Sequence, residues 1–145
     1  MNGICPDEGL ERRLLRLLVN ADTEFQPWSC LLFVNDFTPD VTTTLADLDE
    51  PTWLSYARKS LQADQWVMLG VTDSEANAQY GEEPLYWEND SGPDETVYGY
   101  AIYDSMLSQL VLVQRFDPDD IREIETGQQI GVLPKFSFRS QTASE

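Results

Sequence analysis

The stretch VYGYAIYDSMLSQLVLVQRFD, residues 97–117, decides the fold of this chain. Its first part alternates large and small residues with a period of two, as a β-strand does. The alternation puts large side chains on one face and small residues on the other: Tyr98, Tyr100 and Ile102 against Gly99 and Ala101. Residues 97–103 are therefore predicted to form a strand.

The second part of the stretch, residues 109–116, is an almost continuous apolar run. Such a run predicts a strand that is buried on both faces or lies at a subunit contact. Only the segment DSMLS separates the two predicted strands. A connection this short predicts an antiparallel hairpin.

Further strands are predicted on both sides of the hairpin. Apolar runs bounded by proline, glycine or acidic turns occupy residues 28–36, 65–73, 85–90 and 131–140. Residues 41–44 can add an edge strand, and residues 74–84 read as a loop. Residues 53–61 read either as a short helix or turn leading into an extended piece, which we favour, or as a strand entering the next one. The pattern predicts a mainly β chain, folded as an antiparallel β-sandwich or small barrel of about six to eight strands.

One amphipathic α-helix is predicted before these strands, in EGLERRLLRLLVN, residues 8–20. Its two faces differ in character, with leucines at helical spacing on one side and arginines on the other: Leu10, Leu14, Leu17 and Leu18 against Arg12, Arg13 and Arg16. The arginines either face solvent or the protein's own acidic body, or dock on an acidic patch of a neighbouring subunit. The chain is predicted to be a single domain, residues 1–145, with a helical arm at 1–22 and a β body at 23–145.

The chain is strongly acidic, with 26 acidic and 9 basic residues and a formal net charge of −17. This charge repels nucleic-acid phosphates, so no direct nucleic-acid partner is expected. It can serve solubility, complement a basic partner, or mimic a nucleic-acid backbone. No run of 18 apolar residues occurs and the N-terminal sequence does not resemble a signal peptide, so neither membrane insertion nor export is expected.

The residues that commonly carry catalysis or bind metals are scarce. Histidine is absent, and no nucleophile, phosphate-loop or dinucleotide motif occurs. Cys5 and Cys30 are expected to be reduced thiols, with a bridge between them as the alternative. The acidic segment NDSGPDE, residues 89–95, reads as a turn because it lacks the spacing of a calcium loop. We expect no enzyme activity, no metal and no cofactor.

The order of several segments resembles small virion structural proteins of tailed bacteriophages, including cyanophages. An amphipathic first segment is followed by a turn of the form Asn-(Asp/Asn)-x-Thr-Pro, here Asn35, Asp36, Phe37, Thr38 and Pro39. Next come a Glu-x-x-(Trp/Phe)-x-x-Tyr-Ala piece, a Tyr-Gly-Tyr strand and an Arg-Phe pair, here Glu50, Trp53, Tyr56 and Ala57, then Tyr98, Gly99 and Tyr100, then Arg115 and Phe116. The resemblance implies a β-rich protein of the virion without catalytic residues, of a group whose members can decorate or cement the capsid.

We therefore expect a capsid decoration or cement protein that binds the major capsid protein or other virion subunits and forms homo-oligomers on the virion. The alternatives are a tail, neck or receptor-binding module, and an acidic nucleic-acid mimic that inhibits a basic host protein. The partner interface is predicted to combine the arm with two aromatic residues of the body: Leu10, Arg12, Arg13, Leu14, Arg16 and Leu17 with Trp53 and Tyr56.

Overall fold

The computed structural model describes residues 28–62, 65–72 and 75–139. Within these ranges the chain is mainly β, with eleven strands and two short 3-10 helices. The strands are β1 Trp28–Phe33, β2 Lys59–Ser60, β3 Trp66–Thr72, β4 Glu75–Tyr80, β5 Leu85–Glu88, β6 Glu95–Val97, β7 Gly99–Asp104, β8 Gln109–Arg115, β9 Arg122–Ile124, β10 Gln129–Val132 and β11 Lys135–Arg139. Every strand pair described is antiparallel, which confirms the mainly β, antiparallel prediction.

The predicted N-terminal helix and the six arm residues of the predicted interface lie outside the described residues. Contacts divide the described residues into two compact units, one formed by those of 28–61 and 85–132, the other by those of 62–84 and 133–139. The single-domain prediction stays a prediction.

A four-stranded sheet in the order β2-β1-β7-β8 forms the centre of the larger unit. The sequence WSCLLF makes β1 an inner strand because apolar side chains point to both of its faces. Cys30, Leu31, Leu32 and Phe33 are all completely buried. Two-stranded sheets β5-β10 and β6-β9 belong to the same unit.

The predicted hairpin is present as β7 and β8, paired from Gly99 opposite Arg115 to Asp104 opposite Gln109. Two details differ from the prediction. Residues 95–97 form the separate strand β6, which pairs with β9, so Tyr98 lies in the sequence between two strands that belong to different sheets. Its side chain packs against a buried cluster formed by Leu31, Phe33, Leu48 and Ala101. Also, β8 is an outer strand of the four-stranded sheet, and its residues 110–113 are only half-buried.

Two segments predicted from local propensity have another structure. Residues 41–44 form a turn rather than an edge strand, because the Asp40 carboxylate accepts a hydrogen bond from the Thr42 amide at 2.8 Å and the Thr43 hydroxyl accepts one from the Asp40 amide at 2.9 Å. A 3-10 helix, Leu45–Asp47, follows. Residues 53–61 contain a turn and the two-residue strand β2, in keeping with the turn that was expected to lead into an extended piece.

The smaller unit contains a three-stranded sheet in the order β11-β4-β3. Its β4 arises from a segment that was predicted to be a loop. Ala76, Ala78 and Tyr80 alternate with polar residues and are buried, so the period-two pattern is present but is carried by small side chains. The last predicted strand is divided into β10 and β11, with Pro134 between them.

Candidate interaction surface

Apolar side chains are exposed beside β8 and in the turn that precedes it. Val41, Met106 and Leu107 expose 103%, 74% and 66% of their surface, in a unit whose β1 is completely buried from Cys30 to Phe33. Between β8 and the neighbouring loop is an open groove of about 390 Å³, which we call the β8 groove. It is lined by Pro39, Asp40, Val41, Thr43, Leu110, Val111, Leu112 and Val113.

The two outer strands of the four-stranded sheet differ in how they are protected. The β2 strand is two residues long and carries Lys59, whose ammonium group lies 5.7 Å from the centre of the Trp87 ring. The β8 strand is seven residues long, and residues 110–113 are apolar. A short edge strand and a lysine on that strand both hinder pairing of a sheet edge with another chain. The β8 strand is not short, and its sequence contains no lysine.

Arg115, at the end of β8, holds the loop that forms the far wall of the groove. Its guanidinium donates to the Phe37 carbonyl oxygen at 2.9 Å and lies 2.8 Å from the Asp36 carboxylate. The same group lies 5.2 Å from the centre of the Tyr98 ring. The loop is therefore attached to β8 at one end.

The groove is lined by one carboxylate, that of Asp40. Asp40 is exposed, and hydrogen bonds from the hydroxyl and amide groups of Thr42 hold the pKa of its carboxyl below the usual value. Asp36 remains 71% exposed although it pairs with Arg115. The exposed carboxylates of the 3-10 helix Pro118–Asp120 follow β8 in the sequence but do not line the groove. An apolar lining with one exposed carboxylate fits a ligand that is both apolar and basic.

Trp53 and Tyr56, the two predicted interface residues in the described part of the chain, are engaged inside the larger unit. Trp53 is 3% exposed and its ring N–H donates to the Pro93 carbonyl oxygen at 3.2 Å. The Tyr56 hydroxyl accepts from the Leu32 amide at 3.1 Å. These contacts give both side chains a structural role, and their role at a partner interface stays a prediction.

Glu50 connects Tyr56 to Arg58. It accepts from the Tyr56 hydroxyl at 2.8 Å and takes two bonds from the Arg58 guanidinium at 3.0 and 2.8 Å. Burial acts to raise the pKa of Glu50, but the Arg58 and Tyr56 hydrogen bonds and the Arg58 charge outweigh burial and lower it. Burial raises the pKa of Tyr56 far above its usual value, so this hydroxyl stays protonated.

Cys30 is a free, completely buried thiol on β1. Burial raises its pKa to about 12. The thiol is therefore protonated near neutral pH, and a protonated buried thiol is a poor nucleophile and a poor metal ligand.

One group of acidic side chains in the described residues could approach a cation. Carboxylate oxygens of Asp94, Glu123 and Glu125 lie within 4.8 Å of one another, and all three residues are exposed. The neighbouring Asn89 is buried; its amide group donates to the carbonyl oxygens of Pro93 and Ile124, both at 3.0 Å, and its Oδ1 accepts no hydrogen bond from the described residues. Exposed carboxylates at such distances are common without an ion, so proximity alone does not make this group a metal site.

Sequence reasoning placed residues 109–116 either in the core or at a subunit contact, but it did not identify the loop residues that complete the β8 groove: Pro39, Asp40, Val41 and Thr43. The available signal was Val41, an apolar residue inside a polar loop. The 3-10 helices of the described residues are too short to cross a membrane.

Comparisons with models of protein families, with curated proteins and with solved structures gave no match.

Proposed function

We propose that this chain is a non-enzymatic structural protein of a tailed-phage virion, of the capsid decoration or cement type. It binds the assembled shell of the major capsid protein and stabilises it. The observation that supports this proposal best is the long, apolar edge strand β8, with the exposed side chains of Val41 across the groove and of Met106 and Leu107 in the turn before it. The sequence resemblance supplies the virion as the setting, and the sandwich or barrel arrangement of the β body belongs to the same proposal.

The proposed mechanism is passive. A protein that binds the assembled shell, and binds free subunits weakly, shifts the equilibrium towards the shell by mass action. Repetition of one contact over a lattice makes a weak single contact strong. Because Val41, Met106 and Leu107 are already exposed, attachment needs no unfolding of the described residues.

The proposed partners are the major capsid protein or other virion subunits, together with further copies of this chain. The proposed location is the virion, assembled in the bacterial cytoplasm. The net charge of −17 favours a partner surface with basic side chains around an apolar centre.

Co-sedimentation tests the proposal. The chain is co-expressed with the major capsid protein of the same genome, and assembled shells are separated on a gradient. We expect the chain to travel with the shells at a fixed ratio. Recovery at the top of the gradient, as free protein, would reject the decoration function. Recovery with tails would also reject it and would indicate that the protein is a component of the tail.

A matched pair of variants tests the surface. Leu107→Asp places a charge on the exposed turn that precedes β8, whereas Leu54→Asp places the same charge on an exposed leucine elsewhere in the same unit; the two leucines are 66% and 81% exposed. We expect Leu107→Asp to lower the amount bound at least about tenfold, the effect of losing about 1.4 kcal/mol. Equal binding by the two variants would exclude the turn before β8 as part of the attachment surface.

A further inference from the structure

The β8 groove has the properties of a binding site for one particular segment. Its floor is formed by apolar residues of β8, among them Leu110 and Val113, and its outer wall by Pro39 and Val41. Its rim carries the exposed carboxylate of Asp40. Among the described residues the groove is open, so its walls are available to another segment.

A segment with matching chemistry is present in the sequence of this protein. Residues 8–20 contain leucines at helical spacing and three arginines against two glutamates. This composition differs from that of the whole chain, in which acidic residues outnumber basic ones by 26 to 9. Leucines can cover the floor of the groove while an arginine pairs with the Asp40 carboxylate at its rim.

We propose that residues 8–20 of one copy dock in the β8 groove of a second copy. This inference deepens the proposed function and rests on it for the use of the β8 edge, because it names a neighbouring copy as the molecule bound there. Docking in this way links decoration proteins to one another. Each copy offers one arm and one groove, so the contact is head-to-tail and can be repeated from copy to copy.

Direct pairing of two β8 edges is the competing arrangement, and the charges argue against it. Two copies that meet edge to edge bring together two strongly acidic surfaces, including both copies of Asp40. Arm docking replaces this repulsion with pairs of opposite charge. The two arrangements respond to salt in opposite directions, since screening weakens attraction between opposite charges and relieves repulsion between like charges.

Sedimentation velocity of the purified full-length chain tests the proposal without any shell present. We expect association that grows with protein concentration and weakens as sodium chloride is added. A synthetic peptide of residues 8–20, added in excess, is expected to dissociate the complexes. A chain that stays monomeric over a hundredfold range of concentration, or whose association strengthens with salt, would overturn the arm-docking proposal.

Variants on both sides of the contact complete the test. Val41→Glu changes a fully exposed side chain at the groove, and Leu54→Glu is the matched control elsewhere in the same unit. We expect Val41→Glu, and separately the combined substitution Arg12→Glu, Arg13→Glu and Arg16→Glu, to weaken self-association at least about tenfold, whereas Leu54→Glu leaves it unchanged. Association of Val41→Glu equal to that of the control would reject the groove as the docking site.

This experiment and the co-sedimentation experiment can fail independently. A chain that is monomeric in solution but binds shells retains the proposed function and loses the arm-docking inference. A chain that associates through the arm but does not bind shells retains the docking contact and loses the decoration function.

Discussion

Asp104 is tied to Trp28, which lies 76 residues earlier in the sequence, by a buried hydrogen bond from the indole Nε1 to Oδ2 of the carboxylate at 3.2 Å. The other oxygen, Oδ1, accepts from the amides of Met106 and Leu107 at 2.9 and 3.0 Å. One carboxylate thus shapes the hairpin turn and attaches it to β1. The exposed side chains of Met106 and Leu107 owe their position to a residue that is itself 8% exposed.

Replacing Asp104 is expected to destabilise the protein more than replacing an exposed aspartate. Asp104→Ala removes the acceptor of three hydrogen bonds, one of them buried, which we expect to lower the free energy of unfolding by about 2–4 kcal/mol. Urea unfolding of the variant measures the change. Asp119→Ala, in an exposed 3-10 helix, is the control and should change stability by less than about 0.5 kcal/mol. Equal effects would show that the Asp104 hydrogen bonds contribute little.

Acidic pH is expected to reduce the contribution that Glu50 makes to the stability of the folded chain. Since its folded-state pKa lies below the usual 4.5, Glu50 stabilises the folded chain above that pH, and the contribution is lost as the pH falls through the folded pKa. The stability difference between the native chain and Glu50→Gln should be constant near neutral pH and shrink below about pH 4.5. Urea midpoints measured as a function of pH check this, with exposed Glu82→Gln as the control; a difference that does not change with pH would contradict it.

Alkaline pH is expected to lower the stability of the folded chain through ionisation of Cys30. The pKa of its thiol is raised from 9.0 to about 12 by burial, so between these values the unfolded chain loses a proton that the folded chain keeps. Stability should therefore fall as the pH rises above about 9, and this part of the fall should be absent in Cys30→Ala. Unfolding curves of the two proteins across this range give the comparison.

The same burial predicts slow chemical modification of Cys30. In a Cys5→Ser background, where Cys30 is the single thiol, alkylation should be slow under native conditions and fast in denaturant, because the thiol has no exposed surface. Mass spectrometry of samples taken over time measures the rate. Modification at the rate of a free thiol without denaturant would show that β1 is accessible.

Gly99 is expected to tolerate no side chain. A Cβ atom there would lie against the Gln114 carbonyl oxygen and 2.5 Å from Cζ of the Phe33 ring, so β8 or Phe33 would have to move. We expect Gly99→Ala to cost about 1–3 kcal/mol or more through overpacking. At Gly81 a Cβ atom meets nothing within 4 Å but φ is +69°, so Gly81→Ala should cost only about 1 kcal/mol. Thermal unfolding of both variants separates the two effects.

The sequence predicts the strands whose signal is strong and local. The hairpin of β7 and β8 follows from its alternation, its apolar run and its short turn, and β1 follows from an apolar run between turn residues. The strand β4 was not predicted because Ala76 and Ala78 give a weak hydrophobic signal in the sequence, although both are fully buried. The outer position of β8 was not predicted either, because the position of a strand within a sheet depends on pairings with distant parts of the chain.

The candidate surface is harder to predict than the strands because it depends on distant parts of the sequence. Val41 and Leu110 are far apart in the chain, and the Arg115 contacts with Phe37 and Asp36 bring their segments together. Trp53 and Tyr56 are of the residue types that often anchor protein interfaces, but the same types also pack in protein cores. Residue type alone therefore does not distinguish the two roles. Contacts of the arm stay predictions.

The pairing of β1 with β7 also governs the order in which the protein can be made. The ribosome must add 76 residues after Trp28 before Asp104 exists, which takes roughly 4–15 s at bacterial to eukaryotic rates of synthesis. During that interval the apolar residues of β1 have only the two-residue strand β2 as a partner within their sheet. Because the contacts of the β7-β8 hairpin are local, we expect the hairpin to form first and then to pair with β1, which completes the sheet.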